Sequence, residues 1–397
     1  MITAIVDGSL PWALLVGLQA IRLFIYPVWM KSVYRFRTTV FLSIFFLSAC
    51  SQSRPAGENA IPVNLMAIEE PSLSEFFGGI EVIPLENKDS AYLNPSCMFA
   101  YMKVGDKFYI KDKANSSIVV FNEDGGWEET FKRYGRGPEE YVMLTDMAYN
   151  EGMRSLDILE ATGTIISYDL EPPHRMIRRI KIPDLTAIHY FLPFGSGYYL
   201  FSMYGDQTLN YLDVETGVLT AVPGVPETEQ SARAGYNTSV NPFFCLDGLA
   251  YYVDGASGDF FRLEENRAVP FRSWDMGRYT FRPDKVRAEA SGPPSLERIN
   301  AMSNSMAGPF YRTRETGRYV FSQFLFMKRN LNVILDKETG KTHVFSKMKE
   351  GITFIPGPFC GDALYFLCPP ERAGQVLPDG FSVPDDDSNY LIIKYLL

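Results

Sequence analysis

Histidine and cysteine are scarce in this chain of 397 residues, which holds three of the first and five of the second. His174, His189 and His343 lie far apart, and none belongs to an HxH or HExxH motif, so no contiguous metal-binding signature is present. They read as surface or turn histidines. Basic clusters are also missing. With a net charge of −9 and no run of Lys and Arg, the chain lacks the cations that displace phosphate counterions, which argues against nucleic acid as a partner. No Gly-x-Ser-x-Gly elbow, Walker loop or dinucleotide fingerprint occurs; Gly135-x-Gly137 runs into Pro138 instead of opening a helix. What is plentiful is apolar. Hydrophobic residues make up 46% and aromatics 14% of the chain, enough for one large domain or two ordinary ones and too much for a disordered polymer.

The first fifty residues differ from the rest. Leu10 to Trp29 is mostly apolar but interrupted by Gln19, Arg22 and two prolines. Met30 opens a second pattern, in which Lys31, Arg35 and Arg37 precede the apolar run Val40–Leu47 and the small residues Ser48 and Ala49 precede Cys50. This order resembles a bacterial lipoprotein signal, which implies cleavage before Cys50 and a diacylglycerol on its thiol. The other reading is a buried cysteine ending a membrane helix. Because a signal starting at Met30 is complete, residues 1–29 are expected to be sequence upstream of a misplaced start. A membrane span over Leu10–Trp29 is the alternative, made less attractive by Arg22 and Pro11. Residues 30–49 are then the signal peptide and 50–70 a lipidated tether, since Ser51–Asn64 is polar with two prolines. Removing residues 1–49 leaves 34 basic and 46 acidic residues, a net charge of −12. Ser51 is not the aspartate associated with inner-membrane retention, so a lipid anchor in the outer membrane is expected, facing either the periplasm or the surface.

From residue 71 onward the pattern is that of strands, and it repeats. FYIKDKANSSIVVFNEDG (Phe108–Gly125) is followed by SLDILEATGTIISYDLEP (Ser155–Pro172), then by Tyr198–Gly217, Ala250–Arg267 and Arg318–Gly340. Each copy has an apolar strand, a short polar connection, a second strand and an Asn, Asp or Glu opening a turn. Taking Asn122, Asp169, Asp213, Glu264 and Asp336 as equivalent gives spacings of 47, 44, 51 and 72. Four strands in about 45 residues fit a propeller blade. The long interval is assigned to an insertion, Met276–Arg314, with a short helix near Ser295–Met302. Ala363–Leu367 and Tyr390–Leu396 supply strands of a sixth blade. Ile80–Leu85 (IEVIPL) is a strand without a repeat of its own. The simplest closure lays it on the outer edge of the sixth blade beside Tyr390–Leu396. The expected fold is all-β, a six-bladed β-propeller over 71–397 closed by an N-terminal strand in its last blade.

The turn Gly135-Arg136-Gly137-Pro138-Glu139-Glu140-Tyr141 resembles the GRGPxEY element of six-bladed β-propeller lipoproteins of Bacteroidota, relatives of NHL-repeat proteins. IEVIPLE, WDMGRYTFRP at Trp274–Pro283 and SNYLIIKYLL at Ser388–Leu397 are similar to that family as well, so the resemblance spans about residues 70–397 together with the lipobox. It is specific as to fold and weak as to activity. What it implies is a cell-envelope lipoprotein that binds a ligand or partner protein through one face of the ring, with no cofactor. The partner is an envelope protein, a peptide or a glycan. The alternative it implies is an NHL-like metal-dependent lyase or hydrolase with calcium or zinc in the central channel, drawing ligands from several blades.

Candidate residues follow. The Gly-Arg-Gly-Pro turn must lead from the rim of the first blade back to Leu144–Ala148, the inner strand of the second, with glycines that permit positive φ or close approach. Arg136 is expected to meet Glu139, Glu140 or Asp146 near the channel mouth, with Tyr141 beside them. Two roles stay open for it, a clamp between blades and a planar fork for an anion. Asp89-Ser90-Ala91 matches a short O-glycosylation sequon of Bacteroidota at Ser90. Cys245 and Cys360 occupy equivalent places at the ends of first strands and read as small buried hydrophobes, while Cys360–Cys368 is the pair to examine for a disulfide in an exported protein. Most aromatics are expected to pack the blades, and Tyr204 and Phe243 are candidates to line a mouth. No catalytic residue is identified.

Overall fold

In the computed structural model of the chain, the residues described are 59–94, 100–184, 187–202, 208–225, 241–282, 302–382 and 388–397. Three short strands come first, β1 (Ala60–Pro62), β2 (Ile68–Glu69) and β3 (Gly79–Pro84). Blade one is β4 (Tyr101–Val104), β5 (Lys107–Asp112), β6 (Ser117–Asn122) and β7 (Trp127–Phe131). Blade two is β8 (Leu144–Asn150), β9 (Ser155–Glu160), β10 (Thr164–Asp169) and β11 (Met176–Lys181). Blade three is β12 (Ile188–Phe194), β13 (Gly197–Ser202), β14 (Leu209–Asp213) and β15 (Leu219–Ala221). Blade four is β16 (Phe243–Leu246), β17 (Leu249–Val253), β18 (Phe260–Glu264) and β19 (Arg267–Asp275). Blade five is β20 (Phe310–Glu315), β21 (Tyr319–Phe326), β22 (Arg329–Asp336) and β23 (Thr342–Phe345). Blade six combines β24 (Phe359–Cys360), β25 (Ala363–Cys368) and β26 (Leu391–Leu396) with β3. The fold is a six-bladed β-propeller.

Burial explains the sequence pattern. Middle strands are apolar on both faces because each blade is sandwiched between two others: β13 and β25 are buried at every position. Outer strands alternate, as in β11, where Met176, Arg178 and Ile180 are half-buried and the residues between them are exposed. Six apolar clusters occupy the six gaps between blades. The one between blades six and one joins Tyr365, Leu367 and Ile392 to Phe108, Ile110 and Phe121, so the ring is sealed by side chains. Asn122, Asp169, Asp213, Glu264 and Asp336 each end the third strand of their blade. Three of them cap the turn that follows: Asn122 Oδ1 accepts the N–H of Gly126 at 2.8 Å, Asp213 Oδ1 that of Thr216 at 2.8 Å, and Asp336 Oδ1 that of Glu338 at 2.9 Å, whereas Glu264 pairs with Arg262 and Arg267.

The N-terminal segment runs along the outside of three blades. β1 pairs parallel with β19 (Ile61 opposite Trp274), β2 parallel with β23 (Ile68 opposite Val344), and β3 antiparallel with β26 (Val82 opposite Ile393). Residues 60–70 therefore belong to the ring and not to the tether assigned to 50–70. The cause is an alternation that Pro62 and Asn64 mask: Ile61, Val63 and Leu65 are all buried against blades four and five. Phe76 and Phe77 then enter the cluster between blades five and six. His343 Nδ1 lies 2.8 Å from Glu69 Oε2 and pins β2 in place. The insertion is also shorter than Met276–Arg314, because β20 already starts at Phe310; the helix expected near Ser295–Met302 falls almost entirely outside the described residues.

Candidate functional site

The Gly-Arg-Gly-Pro turn joins β7 to β8 as expected, but its chemistry is internal. Gly135 N–H donates to the Tyr141 carbonyl at 3.0 Å and Tyr141 N–H to that of Arg133 at 2.9 Å. The Glu140 carboxylate folds back and accepts the N–H of Gly137 at 2.7 Å. A Cβ on Gly135 would sit 1.9 Å from Glu140 Oε2, and one on Gly137 3.0 Å away, so the glycines make room for that carboxylate and neither adopts positive φ. Tyr141 is fully buried and its hydroxyl donates to the Ser116 carbonyl at 2.8 Å. The Glu139 carbonyl accepts the Tyr168 hydroxyl at 2.7 Å.

A guanidinium does clamp this turn, but it is not Arg136. Arg179 of β11 donates to the Glu140 carbonyl at 2.7 Å and pairs with Glu160 at 3.2 Å. Glu160, almost wholly buried, also accepts the N–H of Val142 at 2.8 Å. Arg136 is exposed and makes no hydrogen bond or ion pair with a described residue. The expected meeting of Arg136 with Glu139, Glu140 or Asp146 is therefore not formed: Glu140 is occupied by Gly137, and Asp146 lies on the inner strand β8. We expect Arg136→Lys to leave stability within about 0.5 kcal/mol and Arg179→Ala to lower it by about 1–3 kcal/mol, read by urea denaturation. The reverse ranking would contradict this assignment.

The first strands of all six blades line a central cavity of about 310 Å³, with Met102, Asp146, Phe191, Phe243, Arg312 and Phe359 contributing one from each blade. Of the residues picked out in the turn region, Asp146 alone reaches it. Its carboxylate is buried and accepts the N–H of Phe191 at 3.3 Å, and burial pushes its pKa up to about 6, against the pull of Lys111. Lys103, Arg312 and Arg314 put positive charge elsewhere on the same wall. Sequence reasoning missed both arginines, which it had assigned to the insertion. Their signal was the alternation Arg312-Thr313-Arg314-Glu315 directly after Phe310. A larger and more open hollow of about 620 Å³ lies outside the ring, between Thr220 and the turn Glu264–Arg267. Its charges satisfy one another, since Glu264 pairs with both Arg262 and Arg267.

The remaining candidates are dispersed. Ser90 is exposed in a turn, and its carbonyl accepts the Thr130 hydroxyl at 2.9 Å. Cys50 and Tyr204 lie outside the described residues. Phe243 is buried in the core between blades three and four and also borders the cavity. Cys245, on β16, is exposed toward the cavity and is not the small buried hydrophobe expected. Cys360 and Cys368 are free; Cys360 pairs with Ala363 and Cys368 lies five residues further along β25, roughly 17 Å away at strand rise and too far for a disulfide. His174 is buried, with Nε2 2.9 Å from Glu129 Oε2 of blade one and Nδ1 3.0 Å from the Asp169 carbonyl, so it pins adjacent blades and does not face solvent. Among the described residues no three His, Cys, Asp or Glu side chains are grouped to hold a metal ion.

No curated protein matches the chain. Solved structures share its architecture. A Bacteroides fragilis protein described as exported superposes with a TM-score of 0.63 at 16% identity, covering 84% of this chain and 98% of its own. A member of the DUF4221 family from Bacteroides vulgatus gives a TM-score of 0.52 at 12% identity, covering 81% and 97%. At such identities the likeness is one of fold. The model of a domain of unknown function, DUF4934, matches residues 59–387, which takes in the strap strands β1 and β2 together with nearly the whole ring, and the chain belongs to that family.

Proposed function

We propose that this protein is a lipid-anchored component of the cell envelope that binds a ligand in the mouth of its central channel. The observation that carries the reading is the cavity itself: every inner strand contributes to it, and a buried carboxyl and several cations share one small apolar space. Concave apolar sites with a few convergent polar groups are where small ligands bind. The lipobox ending at Cys50 supports the envelope location, as does the exported description of the Bacteroides fragilis neighbour. The outer membrane is the proposed anchor site, and a peptide, a glycan or an envelope protein the proposed partner. Ser90, exposed in its turn, is open to O-glycosylation.

Cys245 offers a reporter inside the channel. Its surroundings push the thiol up to about 11, with desolvation the main cause and Glu151 adding to it. Alkylation by N-ethylmaleimide should be slow at neutral pH and accelerate about tenfold per pH unit up to that value, because only the thiolate reacts. Mass spectrometry with a Cys245→Ala control isolates this site. A panel of neutral and acidic oligosaccharides and short peptides is then screened by calorimetry, and a probe that binds in the channel should slow the labelling of Cys245 about tenfold at pH 8.5. A panel without binders, or binding that leaves Cys245 labelling unchanged, would contradict the reading.

A further inference from the structure

Most arginines that carry structure here face a carboxylate. Arg179 pairs with Glu160, Arg262 and Arg267 with Glu264, Arg272 with Glu315, and Arg318 with Asp336. Arg312 and Arg314 do not. Both lie on β20 and line the central cavity, yet neither forms an ion pair with a described residue. Arg312 donates to the side-chain oxygen of Gln323 at 2.9 Å, and Arg314 to the Thr313 carbonyl at 2.6 Å. Those two bonds use a minority of the ten N–H donors that two guanidiniums carry.

The neighbouring acid does not neutralise them. Glu315, the next residue on the strand, also borders the cavity, but its Oε1 is held by Arg272 at 3.1 Å and Lys337 at 3.0 Å and it forms no ion pair with Arg312 or Arg314. Arg312 and Arg314, two residues apart, leave the same face of β20 roughly 7 Å from each other. Gln323, which orients Arg312, lies in a buried polar layer where Asn332 donates to the Phe354 carbonyl at 3.2 Å. Tyr101 of β4 stands beside the pair with its hydroxyl tied to the Tyr365 carbonyl at 2.9 Å, so the phenol is a fixed dipole and supplies no negative charge.

Desolvation holds both guanidiniums below the usual arginine value, Arg314 at about 10, and the like charge of Arg372 adds to the effect on Arg312. Keeping two cations partly dehydrated without an ion-pair partner destabilises a fold. A ligand anion supplies the missing charge, and a pair of planar forks suits an oxyanion with two or three oxygens.

We propose that Arg312 and Arg314 form an oxyanion subsite of the channel and that the ligand carries a carboxylate or phosphate group. The inference rests on the channel reading above and adds the charge of what binds there. Glucuronate and inorganic phosphate are the probes, with glucose as the neutral control, titrated against the purified protein by calorimetry and followed by thermal melting. Glucuronate or phosphate should bind and raise Tm while glucose does neither; stronger response to the first identifies a carboxylate ligand, and to the second a phosphate. The double variant Arg312→Met/Arg314→Met should lose that affinity by about tenfold or more while its own Tm holds or rises, because two unpaired cations are gone. Arg314→Lys keeps the charge and loses the fork, and should bind with intermediate affinity. No response to either anion, or equal binding by the double variant, overturns the proposal. Should the double variant fail to fold, undiminished binding by Arg314→Lys overturns it as well. A neutral probe that protects Cys245 where neither anion binds would overturn the charge assignment alone and leave the channel reading standing.

Discussion

Deletion of Gly79–Pro84 is expected to lower the Tm of the entire propeller in one cooperative step, by on the order of 10 °C. β3 is the outer strand of blade six, and all six of its residues pair with β26. Its side chains reach both ways: Ile80 and Val82 pack on the cluster between blades five and six, and Ile83 on the cluster between blades six and one. Losing three half-buried apolar side chains and a strand ladder removes roughly 5 kcal/mol or more. Because the clusters are shared between neighbours, that loss is felt around the ring. Exposed, β26 would also present a free edge to other chains. A point variant that keeps the backbone, Val82→Asp, should reproduce about 2–4 kcal/mol of it by placing a carboxylate against apolar side chains. An unchanged melting curve after the deletion would show that ring closure does not depend on this strand.

Gly357→Ala should be almost as damaging, despite adding one methyl group. The residue lies in the loop Pro356–Pro358 that borders the channel, where a Cβ would meet the Tyr365 carbonyl oxygen at 1.6 Å and the Tyr101 hydroxyl at 2.7 Å. The first of these is backbone within a fully buried strand, so no side-chain rotation relieves the clash. If β25 moves, the hydrogen bond from Tyr101 to the Tyr365 carbonyl breaks; if the loop lifts away, the Tyr365 N–H loses the Pro358 carbonyl it reaches at 3.0 Å. A cost of about 3 kcal/mol is expected, the upper range for overpacking, together with a distorted channel wall beside Arg312 and Arg314. Urea titration measures the first effect, and altered labelling kinetics at Cys245 the second. A variant as stable as the parent would mean that Gly357 is not confined as described.

The blades were legible because their turns repeat a physical device. At the end of the third strand in three blades a side-chain oxygen, that of Asn122, Asp213 or Asp336, captures an N–H group of the turn that follows, and this needs Asn or Asp at a fixed offset. The strap was less legible. β1 and β2 span only three and two residues, too short for alternation to stand out from the polar stretch before them. The motif itself offers Arg136 as a clamp, one of the two roles open to it, whereas Arg179 reaches the turn from the outer strand of blade two, 39 residues away from Glu140. Periodicity carries no information about such a partner. The arginines of the channel were hidden for a different reason. A break at Tyr311 shifts the register of β20 against β21, and a strand that sends Arg312 and Arg314 to the channel lacks the apolar run that marks its neighbours.

The most direct test of the channel as the binding site is difference electron density from crystals soaked with the tightest binder of the probe panel. The account predicts density among the inner strands, bordered by Asp146 on one side and by Arg312 and Arg314 on the other, with any carboxylate or phosphate group turned to the arginines. Density confined to the outer hollow between Thr220 and Arg267, with the channel unchanged, would contradict it.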